Sequence, residues 1–226
     1  MVAELAGLID QTLLAPQATT AEMDAFLQGA ADIPYAALCV QPVFLERALA
    51  ARRQPCTRVA VVVAFPHGAL PARIKAAETR ALVEAGAEEI DMVVHLGALR
   101  AKDWETVAAD LEAVVSAAGN VPVKAILECA YLDEESMAVG AAVACAAGAA
   151  FVKTSTGFGP GGAKERDVAL LRQAVGTRAG VKAAGGIRNL DSAMAMLAAG
   201  ADRIGTSSGR AILDGLLQVD PGKMQQ

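Results

Sequence analysis

At 226 residues the chain is long enough for one large domain or two small ones, and its 54% hydrophobic and 20% charged residues give it the apolar content of a folded globule, which excludes an intrinsically disordered protein. Lys and Arg number 20 against 25 Asp and Glu, a formal charge of −5, so no counterion release draws the chain to nucleic acid or to an anionic lipid surface. Small molecules are the partners this balance leaves.

Eight short apolar runs alternate with helix-length segments along the chain. The predicted strands are Leu8–Thr12, Ala37–Val40, Val59–Ala64, Ile90–Val94, Val123–Leu127, Phe151–Thr154, Val181–Ala184 and Arg203–Thr206. Helix starts are marked by a Thr19-x-x-Glu22 capping box, by Pro71, and by Asp103, Asp133 and Asp191 as N-caps. Helix ends are marked by Ala-Gly-Ala at 85–87, 147–149 and 199–201, each a glycine beyond the helix and just before a strand. Lys124, Lys153 and Lys182, each interrupting an apolar run, recur every 29 residues. That is the length of one βα unit, and about eight such units fill the chain.

Apolar strands alternating with amphipathic helices imply a parallel sheet covered by helices. Eight units close most simply as a single-domain (β/α)8 TIM barrel, an α/β fold expected over residues 1–219, with 220–226 as a flexible C-terminal tail. An open doubly wound sheet is the competing arrangement, but no G-x-G-x-x-G follows the first strand. The longest uncharged apolar run, Met137 to Val152, has 16 residues, short of the roughly 20 that cross a bilayer. Met1 to Leu14 holds Glu4 and Asp10 and no Lys or Arg, unlike a secretory leader, so a cytoplasmic protein is expected. Cys39, Cys56, Cys129 and Cys145 lack C-x-x-C spacing and read as free thiols in a reducing compartment; His67 and His95 are too few for a histidine-rich metal cluster.

Alternation along a barrel strand turns Asp91 and Val93 inward, while Ile90, Met92 and Val94 face the helices. The same parity turns Lys153 inward with Phe151 and Ser155, and Lys182 with Ala184. Asp91, Lys124, Glu128, Lys153 and Lys182 are expected to converge. A structural ion pair of Asp91 with one lysine accounts for two of these charges and not for five. Desolvation and a neighbouring cation both lower a lysine's pKa. At its ordinary value only about one lysine in 2500 is neutral at pH 7. A neutral lysine attacks a carbonyl and forms a protonated imine, an electron sink that lets the adjacent carbon lose a proton or break a C–C bond. That chemistry requires no metal or cofactor.

A second constellation is Gly185-Gly186-Ile187-Arg188 after the seventh strand and Gly205-Thr206-Ser207-Ser208-Gly209 after the eighth. Loops at these two positions of a barrel, with glycines that let backbone N–H groups approach, form a recurrent phosphate site; plain turn chemistry is the alternative. The segment Thr154 to Gly159 adds hydroxyls and a glycine loop after Lys153.

These residues resemble the deoxyribose-phosphate aldolase family over nearly the whole chain, through IDQTLL from Ile9, ALCVQP from Ala37, FPHG from Phe65, AGAEEIDMVV from Ala85, FVKTSTGFG from Phe151, VKAAGGIR from Val181 and RIGTSSG from Arg203. The resemblance implies a (β/α)8 Schiff-base aldolase that interconverts 2-deoxyribose 5-phosphate with glyceraldehyde 3-phosphate and acetaldehyde, acting as a homodimer without cofactor. It implies that Lys153 forms the imine, that Asp91 and Lys182 relay protons, and that Lys182 also depresses the nucleophile's pKa. It assigns the phosphate to Gly157, Gly185, Gly186, Arg188, Gly205, Ser207 and Ser208. The chain departs from the family at Gln11, Ala15, His95 and Ala184, where His, Lys, Asn and Ser are common, and these departures are expected to alter hydrogen bonding near Asp91 and Lys182. Phe158 stands where some members have Lys, and the tail lacks the tyrosine that part of the family uses. Beside the Schiff-base aldolase, a carboxylate-dependent Mg²⁺ lyase on the same fold and a non-catalytic phosphometabolite-binding barrel remain as readings of the residues.

Overall fold

The apolar runs pair in chain order. A computed structural model describes residues 1–218, so the expected tail 220–226 lies outside the described residues. Its strands are β1 (Ile9–Leu13), β2 (Ala37–Val40), β3 (Arg58–Val63), β4 (Glu89–Val93), β5 (Val123–Ile126), β6 (Phe151–Lys153), β7 (Gly180–Ala184) and β8 (Arg203–Thr206). Each runs parallel to the next, and β8 pairs back onto β1 through Ile9–Ile204 and Asp10–Gly205, which closes the barrel. The helices are α1 (Val2–Ala6), α2 (Thr20–Ala30), α3 (Leu45–Ala51), α4 (Ala72–Glu84), α5 (Leu96–Arg100), α6 (Trp104–Ala118), α7 (Glu134–Ala146), α8 (Glu165–Val175), α9 (Leu190–Ala198) and α10 (Gly209–Gln218). The fold is the expected single-domain (β/α)8 barrel.

The alternation along each strand divides the apolar residues into two bodies. Ile9, Leu38, Val61, Met92, Ala125, Val152, Val181 and Ile204 point outward and pack with Leu111, Val114, Leu171, Met196 and Ile212 of the helices. Inside the barrel, Leu14, Ala37, Cys39, Ala60 and Val62 form a separate cluster with Phe65 against it. Hydrocarbon thus packs the β1–β3 side of the interior, while β1 and β4–β8 turn charged groups inward.

The three Ala-Gly-Ala signals end helices as expected. Gly86, Gly148 and Gly200 adopt φ of +98°, +93° and +109°. In each case the glycine N–H and the next N–H close back on the last turn, as in Gly148 N to Cys145 O at 3.1 Å and Ala149 N to Ala144 O at 3.0 Å. Thr19 and Glu22 form the predicted capping box, and Asp103 and Asp133 cap α6 and α7. The expectation for Asp191 is corrected. Asn189 caps α9, its side chain accepting from Ser192 N at 2.9 Å, and Asp191 stands in the first turn, where a carboxylate meets the positive end of the helix dipole. Between α4 and α6, the buried Lys75 ammonium donates to Asp110 at 2.7 Å and to the Val93 carbonyl at 2.8 Å, and Asp110 also accepts from His95 N at 2.9 Å. This pair clamps the end of β4. Among the described residues no helix is long and apolar enough to cross a membrane.

Gly148 shows what the helix stops contribute. An alanine there would hold a left-handed backbone and bring its Cβ to 3.2 Å from Val115. Gly148→Ala is expected to lower stability by roughly 1–2 kcal/mol, read as a lower urea midpoint with an unchanged slope.

Candidate active site

Six of the eight strands contribute charged side chains to one cluster inside the barrel. Asp91 on β4 lies at its centre: Oδ2 accepts from Lys153 of β6 and from Lys182 of β7, each at 2.8 Å, and Oδ1 accepts from Lys124 of β5 at 2.8 Å. Asp10 on β1 takes Lys182 at 2.5 Å, Arg203 of β8 at 2.7 Å and Lys124 at 3.3 Å. Glu89, two residues before Asp91 and on the same face, takes Lys124 at 2.5 Å and Arg203 at 3.7 Å. Strand register explains the convergence, because Lys153, Lys182 and Arg203 are successive partners across β6, β7 and β8, and Asp91 is the partner of Lys124.

The network splits the lysines. Burial would raise the Asp91 carboxyl, but Lys124, Lys153 and Lys182 outweigh it and hold it well below the usual carboxylate range. Burial likewise opposes the charge on Lys182, where Asp10 and Asp91 prevail and raise its pKa. Lys124 is raised by three carboxylates in the same way. Lys153 goes the other way. Burial dominates, Lys182 adds to it, and Asp91 offsets only part.

Above Lys153 opens a cavity of about 490 Å³, lined on one side by Thr156, Gly157, Phe158, Gly185, Gly186, Arg188, Gly205 and Ser207, and on the other by the segment from Thr12 to Gln17. Lys153 is 3% exposed, so its amine is the part of the charged cluster that the cavity reaches, while Asp91 and Lys182 lie fully buried beneath it. Gly185 and Gly186 both adopt positive φ, +91° and +81°, which turns the chain back across the end of β7. Arg188 is exposed and, among the described residues, has no carboxylate partner. Ser208 does not line this cavity. Its N–H donates to the Thr206 hydroxyl at 2.9 Å and its carbonyl receives Ile212 N, so it starts α10.

One expectation is corrected. Glu128 does not join the lysines: at φ +52° its backbone is left-handed, and its carboxylate accepts from Thr156 N at 3.1 Å and from the Thr156 hydroxyl, bracing the loop after β6. Gln11 makes no bond to Asp91 or Lys182; it ties β1 to the start of α10 through Ser207 O at 3.2 Å and Gly209 N at 2.9 Å. His95 caps α5 by accepting from Ala98 N, Ala184 lines the cavity, and Phe158 meets Phe65 edge-on at 5.3 Å. Sequence reasoning passed over Asp10, Glu89 and Arg203. Inward parity with Asp91 was the available signal for Glu89. Among the described residues, no group of three or more His, Cys, Asp or Glu stands where it could hold a metal ion.

A profile of the DeoC/LacD family of aldolases matches residues 5–215. The chain belongs to this family. It is accordingly an enzyme of the lyase class. It is 46% identical over 207 residues to the deoxyribose-phosphate aldolase of Brevibacillus brevis, covering 92% of this chain and 94% of that one. It is 45% identical over 211 residues to that of Deinococcus radiodurans, covering 93% and 96%. The deoxyribose phosphate aldolase of Aeropyrum pernix, described as a unique tetrameric structure, superposes with a TM-score of 0.89 at 32% identity, over 97% of this chain and 94% of that one.

Asp91→Asn removes a carboxylate that compensates three ammonium groups. Loss of one partner from a buried network is expected to cost about 3–5 kcal/mol. Because the native pKa of Asp91 is depressed, its contribution is fully present above the ordinary Asp value and fades as pH falls through the lower native value. Denaturation curves at a series of pH values should therefore separate the parent from the variant at neutral pH and bring them together in strong acid.

Proposed function

We propose that this aldolase cleaves 2-deoxy-D-ribose 5-phosphate reversibly to D-glyceraldehyde 3-phosphate and acetaldehyde through a Schiff base on Lys153. The observation that carries the reading is the buried Lys153 amine, its pKa lowered, at the floor of a cavity whose rim offers Arg188 and the glycine turns. Lys153 Nζ adds to the aldehyde carbon of the open-chain sugar. Asp91, held ionised, takes the proton from nitrogen and passes it to the new alkoxide, and Lys182, held protonated, gives a second proton to the resulting hydroxyl, so that water leaves and the protonated imine forms. The C3 hydroxyl then gives its proton to the Lys182 amine left by that step, the C2–C3 bond breaks toward the imine, and glyceraldehyde 3-phosphate departs. Lys182 gives a proton to the enamine at C2 and takes one back when water adds to the protonated imine, and collapse of that adduct releases acetaldehyde and the free amine. No cofactor enters this sequence.

The phosphate end is assigned to Gly157, Gly185, Gly186, Arg188, Gly205 and Ser207, which line the cavity, with Ser208 contributing through the turn that begins α10. Remote binding energy of this kind orients the sugar over Lys153. A homodimer in the cytoplasm belongs to the same proposal; light scattering should give twice the chain mass, and a tetramer would displace it.

Cyanoborohydride with acetaldehyde should fix a secondary amine on Lys153, located by peptide mass mapping; label on Lys182 or Lys124 would overturn the assignment. Lys153→Arg should keep the fold and lose turnover, because a guanidinium stays charged and forms no imine. Asp91→Asn should slow turnover by about 10²- to 10⁴-fold. Arg188→Met should lower kcat/KM for the 5-phosphate about tenfold, the loss of one exposed charged hydrogen bond, and leave unphosphorylated 2-deoxyribose nearly unchanged. Equal losses for both sugars would move the phosphate elsewhere.

A further inference from the structure

The charged groups inside the barrel do not balance. Three carboxylates, Asp10, Glu89 and Asp91, face four cations, Lys124, Lys153, Lys182 and Arg203. Arg58 of β3 approaches Glu89 at 3.5 Å, but its side chain is 54% exposed and solvent screens it. Cys39 of β2 lies 4.0 Å from Asp91, and burial pushes its thiol up to about 11, so it stays neutral. With all four cations protonated the cluster carries one uncompensated positive charge; with Lys153 as free amine it carries none.

We propose that Arg203 is a positioning residue for the imine chemistry: by occupying Asp10 and Glu89 from the floor of the barrel it makes Lys153 the surplus cation, and so leaves the Lys153 amine free to attack. This rests on the Schiff-base reading above. A guanidinium keeps its proton under all working conditions, so of the four cations Arg203 is the one that cannot yield. It is held in place three ways: by Asp10 Oδ1 at 2.7 Å, by Glu89 at 3.7 Å, and by the Phe151 ring, over which its guanidinium lies 5.4 Å from the centroid. Phe151 in turn leaves no room beside it for any side chain at position 180, where a Cβ would stand 2.3 Å from the ring. Arg203 also lines a floor cavity of about 450 Å³ at the end of the barrel opposite the substrate cavity, and it is absent from the lining of the latter. It acts through the chain Arg203, Asp10, Lys182, Asp91, Lys153, each joined to the next by an ion pair.

The charge count fixes the sign of each variant. Arg203→Met leaves three carboxylates to three lysines, which recruits Lys153 as a needed cation. Glu89→Gln removes a carboxylate that pairs with Lys124 and Arg203 and not with Lys153, which increases the surplus. The readout is the rate at which cyanoborohydride traps acetaldehyde on Lys153 across a pH series in the full chain. For Arg203→Met the midpoint should move to higher pH, with trapping at pH 7 down about tenfold, equivalent to one pH unit, and the rate recovered at alkaline pH. Arg203→Lys should keep the parent midpoint, Glu89→Gln should move it to lower pH, and Arg203→Met with Glu89→Gln should return it toward the parent. A merely structural role would depress the rate at every pH without moving the midpoint, and that result overturns the proposal. So does a Glu89→Gln midpoint that stays put or moves upward, which decides the matter even where Arg203→Met fails to fold. A parent that takes no label on Lys153 defeats the Schiff-base reading itself; a labelled parent with unmoved midpoints defeats only the role of Arg203.

Discussion

Charges confined where water cannot reach must satisfy one another, and in this barrel that requirement governs both the fold and the site. An isolated buried ion is too costly to keep, so Asp10, Glu89 and Asp91 each collect two or more cations, and each cation of this cluster meets at least one of them. The compensation is uneven. Lys124 touches three carboxylates and Lys182 two, while Lys153 touches Asp91 alone. The ammonium with the fewest partners is the one whose proton is least secure, and it is also the one nearest the substrate cavity.

The barrel supplies this arrangement through register. Parallel strands of three to six residues are too short to hold a charge cluster individually, but closure brings β1, β4, β5, β6, β7 and β8 to a common axis. Hydrocarbon from β2, β3 and the end of β1 packs one side of the interior and supplies a low-dielectric wall that makes the ion pairs matter. Outside, the Lys75–Asp110 pair takes hold of the Val93 carbonyl and the His95 amide. Asp91 is thus carried on a strand whose far end is clamped between two helices.

The architecture was legible because it repeats. Lysines at a fixed interval and three Ala-Gly-Ala stops announce βα units, strand parity turns Asp91, Lys153 and Lys182 inward, and Lys124 joins them as expected. What escaped has physical causes. Asp10 sits in a strand with Gln and Thr beside it, so its charge looks like that of an ordinary polar edge. Arg203 opens its strand and reads as a surface residue, because barrel stagger, which brings β8 alongside β1, is invisible in one strand's sequence. Glu128 has inward parity too, but the left-handed turn after β5 breaks the alternation on which parity depends. Asn189 was overlooked for the charged Asp191 two residues on, although a neutral amide caps as well as a carboxylate.

The loops after β6 and β7 are pressed together: Ala163 N bonds Gly185 O at 3.0 Å, and a Cβ on Gly162 would stand 2.3 Å from that same oxygen. At this contact main chain meets main chain, which fixes Gly185 and Gly186 at the cavity edge. The facing wall, from Leu13 to Gln17, and the Phe158 ring at the rim are made of side chains. Substrate scope in such a pocket has a preferred direction of drift. Lineages or laboratory libraries that admit bulkier aldehydes can do so by substitution around Ala15, Gln17 and Phe158, while the glycine side acts as the fixed jaw against which each new shape is measured.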